Sequence, residues 1–223
     1  MPTHPTSCPL RQVRFALLSS AFLSLAALLP TASQAAAPPA ATVVPTMTAE
    51  QETDLSKGKV VIVEGLPPAQ PENMRAMGVL DIDASADAVW RALYDWKGRE
   101  ADSANAKLVT PHDESSESGV RAVSVTWDIE VLGNKLQYTN RYTHWEPQSY
   151  LEFVLDDRKT NDLAFNWGSY RVVSTGPTTS RFFYTSETDT GRKLPGWVKE
   201  WLTKTGLKKM LKEIRTRATG YGA

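Results

Sequence analysis

The side chains that could do chemistry in this chain are few, and most lack the neighbours that chemistry needs. Of the three histidines, His4, His112 and His144, no two share a metal-ligand spacing, and the one cysteine, Cys8, stands alone. No serine occupies a Gly-x-Ser-x-Gly turn, and there is no glycine-rich loop of the phosphate-cradling kind. Asp156 and Asp157 are adjacent carboxylates, but nothing in their spacing marks an acid/base pair. Neither a metal nor a cofactor is expected. What remains is Asn140 and His144, polar residues that alternation places on an otherwise apolar face. An unpartnered polar group is costly there, so each is either satisfied within the core or available to hydrogen-bond the head group of a ligand.

That face follows from a turn. Gly133-Asn134, between Leu132 and Lys135, reads as a two-residue hairpin turn, which sets the register of the strands it joins. In this register Ile129 opposes Tyr138, Trp127 opposes Asn140, Val125 opposes Tyr142 and Val123 opposes His144. The other face pairs Asp128 with Thr139, Thr126 with Arg141 and Ser124 with Thr143. The first set is the more apolar. Val123, Val125, Trp127, Ile129, Leu136, Tyr138, Asn140, Tyr142 and His144 are therefore assigned to a concave face, with Leu151, Phe153 and Leu155 from the next strand and Tyr170 from the one after. Asp128 and Arg141 would form a diagonal surface ion pair worth less than about 1 kcal/mol.

Strands and helices must hold these residues. Val60-Val61-Ile62-Val63 reads as an edge strand ended by Pro67, Pro68 and Pro71. A strand around Val79 and Ile82 leads to a helix capped by Ser85, with Val89, Trp90, Leu93 and Trp96 at helical spacing. A polar stretch from Asp113 to Ser118 follows. Strand-like segments then run over about 119–132, 135–145, 149–156, 164–174 and 180–188, the pattern of an antiparallel meander. The chain closes on a long helix with Pro195 in its first turn and Trp197, Val198, Trp201, Leu202, Leu207, Met210, Leu211 and Ile214 on one stripe. Gly206 is a candidate kink or break, and Lys199, Lys208, Lys209, Arg215 and Arg217 are expected on a wet face.

The first 36 residues have the layout of a signal peptide: Arg11 and Arg14 without an acid, an apolar run from Phe15 to Leu29, and small residues around Ala35. That run is shorter than the roughly 20 residues a membrane-spanning helix needs. Its removal takes Cys8 with it and leaves 23 basic against 25 acidic residues, which does not suit a nucleic-acid binder. The mature chain reads as a Pro/Ala-rich leader (37–50), an N-terminal extension (51–75) and one domain (76–219), placed in the periplasm or outside the cell.

Two stretches carry a resemblance. Asp81-Ile82-Asp83-Ala84-Ser85-Ala86-Asp87-Ala88-Val89-Trp90-Arg91-Ala92-Leu93 opens the domain, and Asp189-Thr190-Gly191-Arg192-Lys193-Leu194-Pro195-Gly196-Trp197 leads into its last helix. With the meander between them, these resemble the START-like, or Bet v 1-like, superfamily over about Met77 to Ala218. The resemblance implies an α+β helix-grip fold, in which a curved antiparallel sheet wraps a long C-terminal helix around a hydrophobic cavity. The short second helix usual in that family is not evident in the polar segment from Arg99 to Asn105.

A hydrophobic small molecule, above all a lipid, is the expected partner. Val125, Trp127, Ile129, Tyr138, Asn140, Tyr142, His144, Phe153, Tyr170 and Trp201 are the expected ligand-binding residues, in a monomer that binds without catalysis. Transient membrane contact could involve Trp96, Trp197 and Trp201, or the lysines at 199, 204, 208 and 209. Two alternatives stand beside this: a cyclase or aromatase using Asn140, His144, Tyr138 and Tyr142, and a protein-interaction module whose aromatics fill the interior.

Overall fold

Regular alternation from Val120 onward builds a sheet that needs a cover on its apolar side, and the C-terminal amphipathic stripe supplies one. The structure is a computed structural model that describes residues 46–71, 73–103, 105–131, 133–191 and 196–221; the side chains of 131, 134 and 196–202 lie outside the description. The expected signal peptide and most of the leader also fall outside the described residues.

Eight antiparallel strands form one sheet: β1 (Val61–Leu66), β2 (Arg75–Ile82), β3 (Ala106–Glu117), β4 (Val120–Val131), β5 (Asn134–Trp145), β6 (Tyr150–Leu155), β7 (Phe165–Gly176) and β8 (Thr179–Asp189). Their order is β1-β2-β8-β7-β6-β5-β4-β3. The helices are α1 (Ala49–Ser56), α2 (Ala86–Tyr94), α3 (Trp96–Asp102) and α4 (Gly196–Tyr221). This is the α+β helix-grip arrangement, with α4 lying against β2, β8 and α2. Gly78 allows the close approach: a β-carbon there would overlap Cδ1 of Leu211, which is fully buried.

The N-terminal extension is part of the sheet. Leu55, Val61, Met77, Val79 and Phe183 form a second, smaller apolar cluster, on the alternate residues of β2 that point away from α4. Arg181 fastens α1 over it, donating to both carboxylate oxygens of Asp81 (2.6 and 2.9 Å) and of Glu52 (2.8 Å each). The loop before β2 is held by buried Glu187, whose carboxylate accepts from the Ala69 and Gln70 amides, the Asn73 side chain and Arg75.

Several expectations need correction. Asn134 is not in the β4–β5 turn but in β5: it pairs with Val131, and Gly133 takes the positive φ of 76°. Each pairing thus moves by two residues, so Ile129 faces Leu136, Trp127 faces Tyr138, Val125 faces Asn140, Val123 faces Tyr142 and Arg121 faces His144. Because side chains alternate with a period of two, every residue keeps its expected face. The shift does undo the Asp128–Arg141 pair: Arg141 opposes Ser124, four residues or about 13 Å along the strand from Asp128, which instead accepts from Gln137 at 2.7 Å.

The polar stretch before residue 119 is not a connection: Asp113 to Glu117 form the outer end of β3, the other edge of the sheet. Its outer half is exposed, so it shows no hydrophobic alternation. The helix expected to run through Trp96 stops at Tyr94. Asp95 starts α3, accepting from the Gly98 amide at 2.9 Å, so the short second helix is present. Gly206 does not split α4, which is continuous over 26 residues. Arg217 is not wet: only 10% exposed, it pairs with Asp95 and Asp102 and donates to the Gly98 carbonyl, binding α4 to α3.

Candidate ligand cavity

Between the sheet and α4 lies a cavity of about 580 Å³, within the roughly 300–1,000 Å³ usual for small-molecule sites. The β4–β5 hairpin end of the sheet forms one wall, with Trp127, Ile129, Leu136, Tyr138, Asn140 and Tyr142. Phe153, Tyr170 and Tyr184 continue it across β6, β7 and β8, and Gly206, Met210 and Ile214 of α4 close the other side. The exposed lining residues Asn105, Thr188, Thr205 and Gly206 mark the mouth. Phe153 can lie flat against β7 because Gly168 beside it has no side chain; a β-carbon there would overlap the ring and crowd the Thr185 carbonyl.

Seven of the ten expected residues thus meet around one space: Trp127, Ile129, Tyr138, Asn140, Tyr142, Phe153 and Tyr170. Val125 and His144 do not. Both share the expected face, but they sit towards the opposite end of the strands, where α2 fills the interior. Val125 is fully buried in the core, and the His144 ring stacks on Trp90 with centroids 3.9 Å apart. Trp201 lies on α4 with its side chain outside the described residues. Trp96 is a buried core residue, edge-on to Trp127 at 6.4 Å. Asp156, on the outer face, is paired with Arg158 at 2.7 Å and accepts from Ser124; the Arg158 hydrogen bonds hold it well below the usual carboxylate range.

The polar groups on the wall are largely engaged with one another. Asn166 donates to Asn140 at 3.0 Å and accepts from Thr188 at 2.8 Å, so the Asn140 carbonyl is satisfied within the protein. Trp127 donates its indole N–H to the Tyr142 hydroxyl at 3.1 Å. Burial raises the hydroxyl pKa of Tyr138 and Tyr170, and that of Tyr184 to about 12. These phenols stay protonated at neutral pH, so they can donate hydrogen bonds but do not serve as bases.

Sequence reasoning passed over Arg99. It sits on α3, in the segment that reads as a polar loop, and its side chain turns into the cavity. One N–H donates to the Leu93 carbonyl at 3.2 Å, and the guanidinium also meets the Tyr170 hydroxyl. It lies 4.7 Å from the Trp127 ring centre and 5.1 Å from that of Trp96, close enough for cation–π attraction to both.

No protein-family model and no curated protein sequence matches this chain. Solved structures do. A START superfamily protein from Mycobacterium smegmatis superimposes with a TM-score of 0.56 at 12% identity, covering 66% of this chain and 98% of its own. An aromatase/cyclase from Streptomyces gives 0.55 at 15% identity over 66% of this chain and 94% of its own. A STAR-related lipid transfer protein from Xanthomonas axonopodis gives 0.54 at 12% identity over 72% and 93%. The fold of this chain is the START-like, helix-grip fold.

Proposed function

We propose that this chain is an exported binding protein that shields a hydrophobic small molecule, a lipid above all, from water. The observation that carries the reading is the cavity of about 580 Å³, walled by aromatic and aliphatic side chains and open at one end. Its mechanism is burial. Enclosing on the order of 300 Å² of apolar ligand surface at roughly 25 cal/mol per Å² contributes about 7 kcal/mol before the costs of association. The protonated tyrosines add orienting hydrogen bonds, and neither step needs a covalent change. The lipid transfer protein among the structural neighbours is consistent with such a role, and the signal-peptide pattern supports export.

A cyclase reading draws support from the aromatase/cyclase neighbour. It now has to do without His144; Asn140, Tyr138 and Tyr142 still line the cavity, and Glu213 joins them as an acid/base candidate. This carboxyl lines the cavity on α4, and burial raises its pKa.

Native mass spectrometry of the protein purified from its own host tests the main reading. A copurifying lipid supports it. A protein without bound ligand, which also takes up none from a lipid extract, overturns it. Fractionation of the same cells, with N-terminal sequencing of the mature chain, tests export.

A further inference from the structure

The charges around the cavity do not balance. Three cations line it, Arg99, Lys209 and Arg217, against one carboxylate, Glu213. Arg217 already holds Asp95 and Asp102, and Lys209 lies 4.0 Å from Glu213 one turn along α4. Among the described residues no carboxylate forms an ion pair with Arg99, and Glu213 feels it only at longer range. A guanidinium has five N–H donors in a planar fork. Arg99 uses them on a backbone carbonyl and a tyrosine hydroxyl, while two indole rings flank it. Arg99 is half-buried, so its guanidinium has given up part of its hydration without gaining a carboxylate, and an anion that joined it there would be favoured. The fork geometry suits an oxyanion with two equivalent oxygens.

Size limits the rest of the ligand. At about 30 Å³ for each water-sized group, the volume accommodates roughly 19 such groups. That accommodates a long acyl chain with its head group.

We infer that the cavity selects amphiphiles whose anionic oxygen group, a carboxylate or a phosphate, seats against Arg99 while the tail runs along the aromatic wall. The inference rests on the hydrophobic-ligand reading and narrows it to a head-group charge.

The test compares palmitic acid, hexadecyl phosphate and hexadecanol, which share a tail and differ in the head, titrated at neutral pH into delipidated protein. The two anions should bind about ten- to a hundredfold more tightly than the alcohol, the range expected for a hydrogen bond to a charged group. Whichever anion binds more tightly identifies the head group. In Arg99→Gln the advantage of the two anions over hexadecanol should vanish. Equal affinity of acid and alcohol for the unaltered protein overturns the inference and leaves the hydrophobic-ligand reading standing. So does an advantage that survives in Arg99→Gln. Binding of none of the three overturns both. The comparison on the unaltered protein needs no variant, so it decides the matter even if Arg99→Gln fails to fold.

Discussion

The imidazole of His144 stacks on the indole of Trp90, 3.9 Å between ring centres and 27° from parallel, with neither ring nitrogen hydrogen-bonded among the described residues. Tyr94 packs beside this pair, 5.7 Å from His144 and 6.4 Å from Trp90, its own hydroxyl buried without a partner among the described residues, and Arg121 lies over the Tyr94 ring. Burial, helped by Arg121, pulls the His144 pKa down to about 4.

Stability should therefore depend on pH in the acid range. The unfolded chain binds a proton at His144 near pH 6.5 and the folded one only near 4, so this contribution is complete above about pH 6.5 and fades as the pH falls towards 4. The full effect is about 3 kcal/mol. Urea midpoints at pH 7, 6 and 5 should decline steadily. In His144→Phe the decline over that interval should flatten; an unchanged slope would show that His144 is not its source.

Gly206 separates filling the cavity from breaking the helix. It lies inside α4 on the cavity wall, and a β-carbon there would meet nothing within 4 Å. Gly206→Ala should raise stability by up to about 1 kcal/mol through helix propensity alone. Gly206→Phe should keep the fold, by circular dichroism, and reduce ligand uptake at least tenfold.

Glu187 anchors the loop that joins β1 to β2. The side chain is fully buried, and its acceptors satisfy two amides, Asn73 and Arg75. Glu187→Gln turns one acceptor into a donor facing donors and leaves Arg75 uncompensated, so the loss should be about 3 kcal/mol. Limited proteolysis should then cut first within residues 67–74. Cutting elsewhere first would disprove the anchoring role.

Arg217 is the tie between α4 and α3. Arg217→Gln should cost about 1–2 kcal/mol, less than for a fully buried pair because Asp102 is half exposed. Hydrogen exchange should quicken in residues 96–102 and leave β4 and β5 unaffected.

The meander and its apolar face were legible from the residues because alternation is a local property. Even the two-residue error at Gly133 did not move Trp127, Tyr138 or Asn140 to the wrong side, since a period of two forgives an even slip. β3 was not legible. As an edge strand exposed over its outer half, it carries no buried set to mark it.

The sequence by itself determined which residues share the concave face, that a capped helix follows β2, and that a long amphipathic helix closes the fold. These are short-range patterns of polarity and capping, and the chain carries them without reference to anything distant. Only the tertiary structure decided where along that face the cavity lies. His144 and Asn140 are four residues apart on one strand and one face, yet α2 seals the first against Trp90 while the second borders open space. It likewise turned Arg99, one polar residue in a short polar helix, into a cavity cation without a carboxylate partner. That position depends on Asp95 starting a second helix and on Arg217, more than a hundred residues away, holding that helix in place.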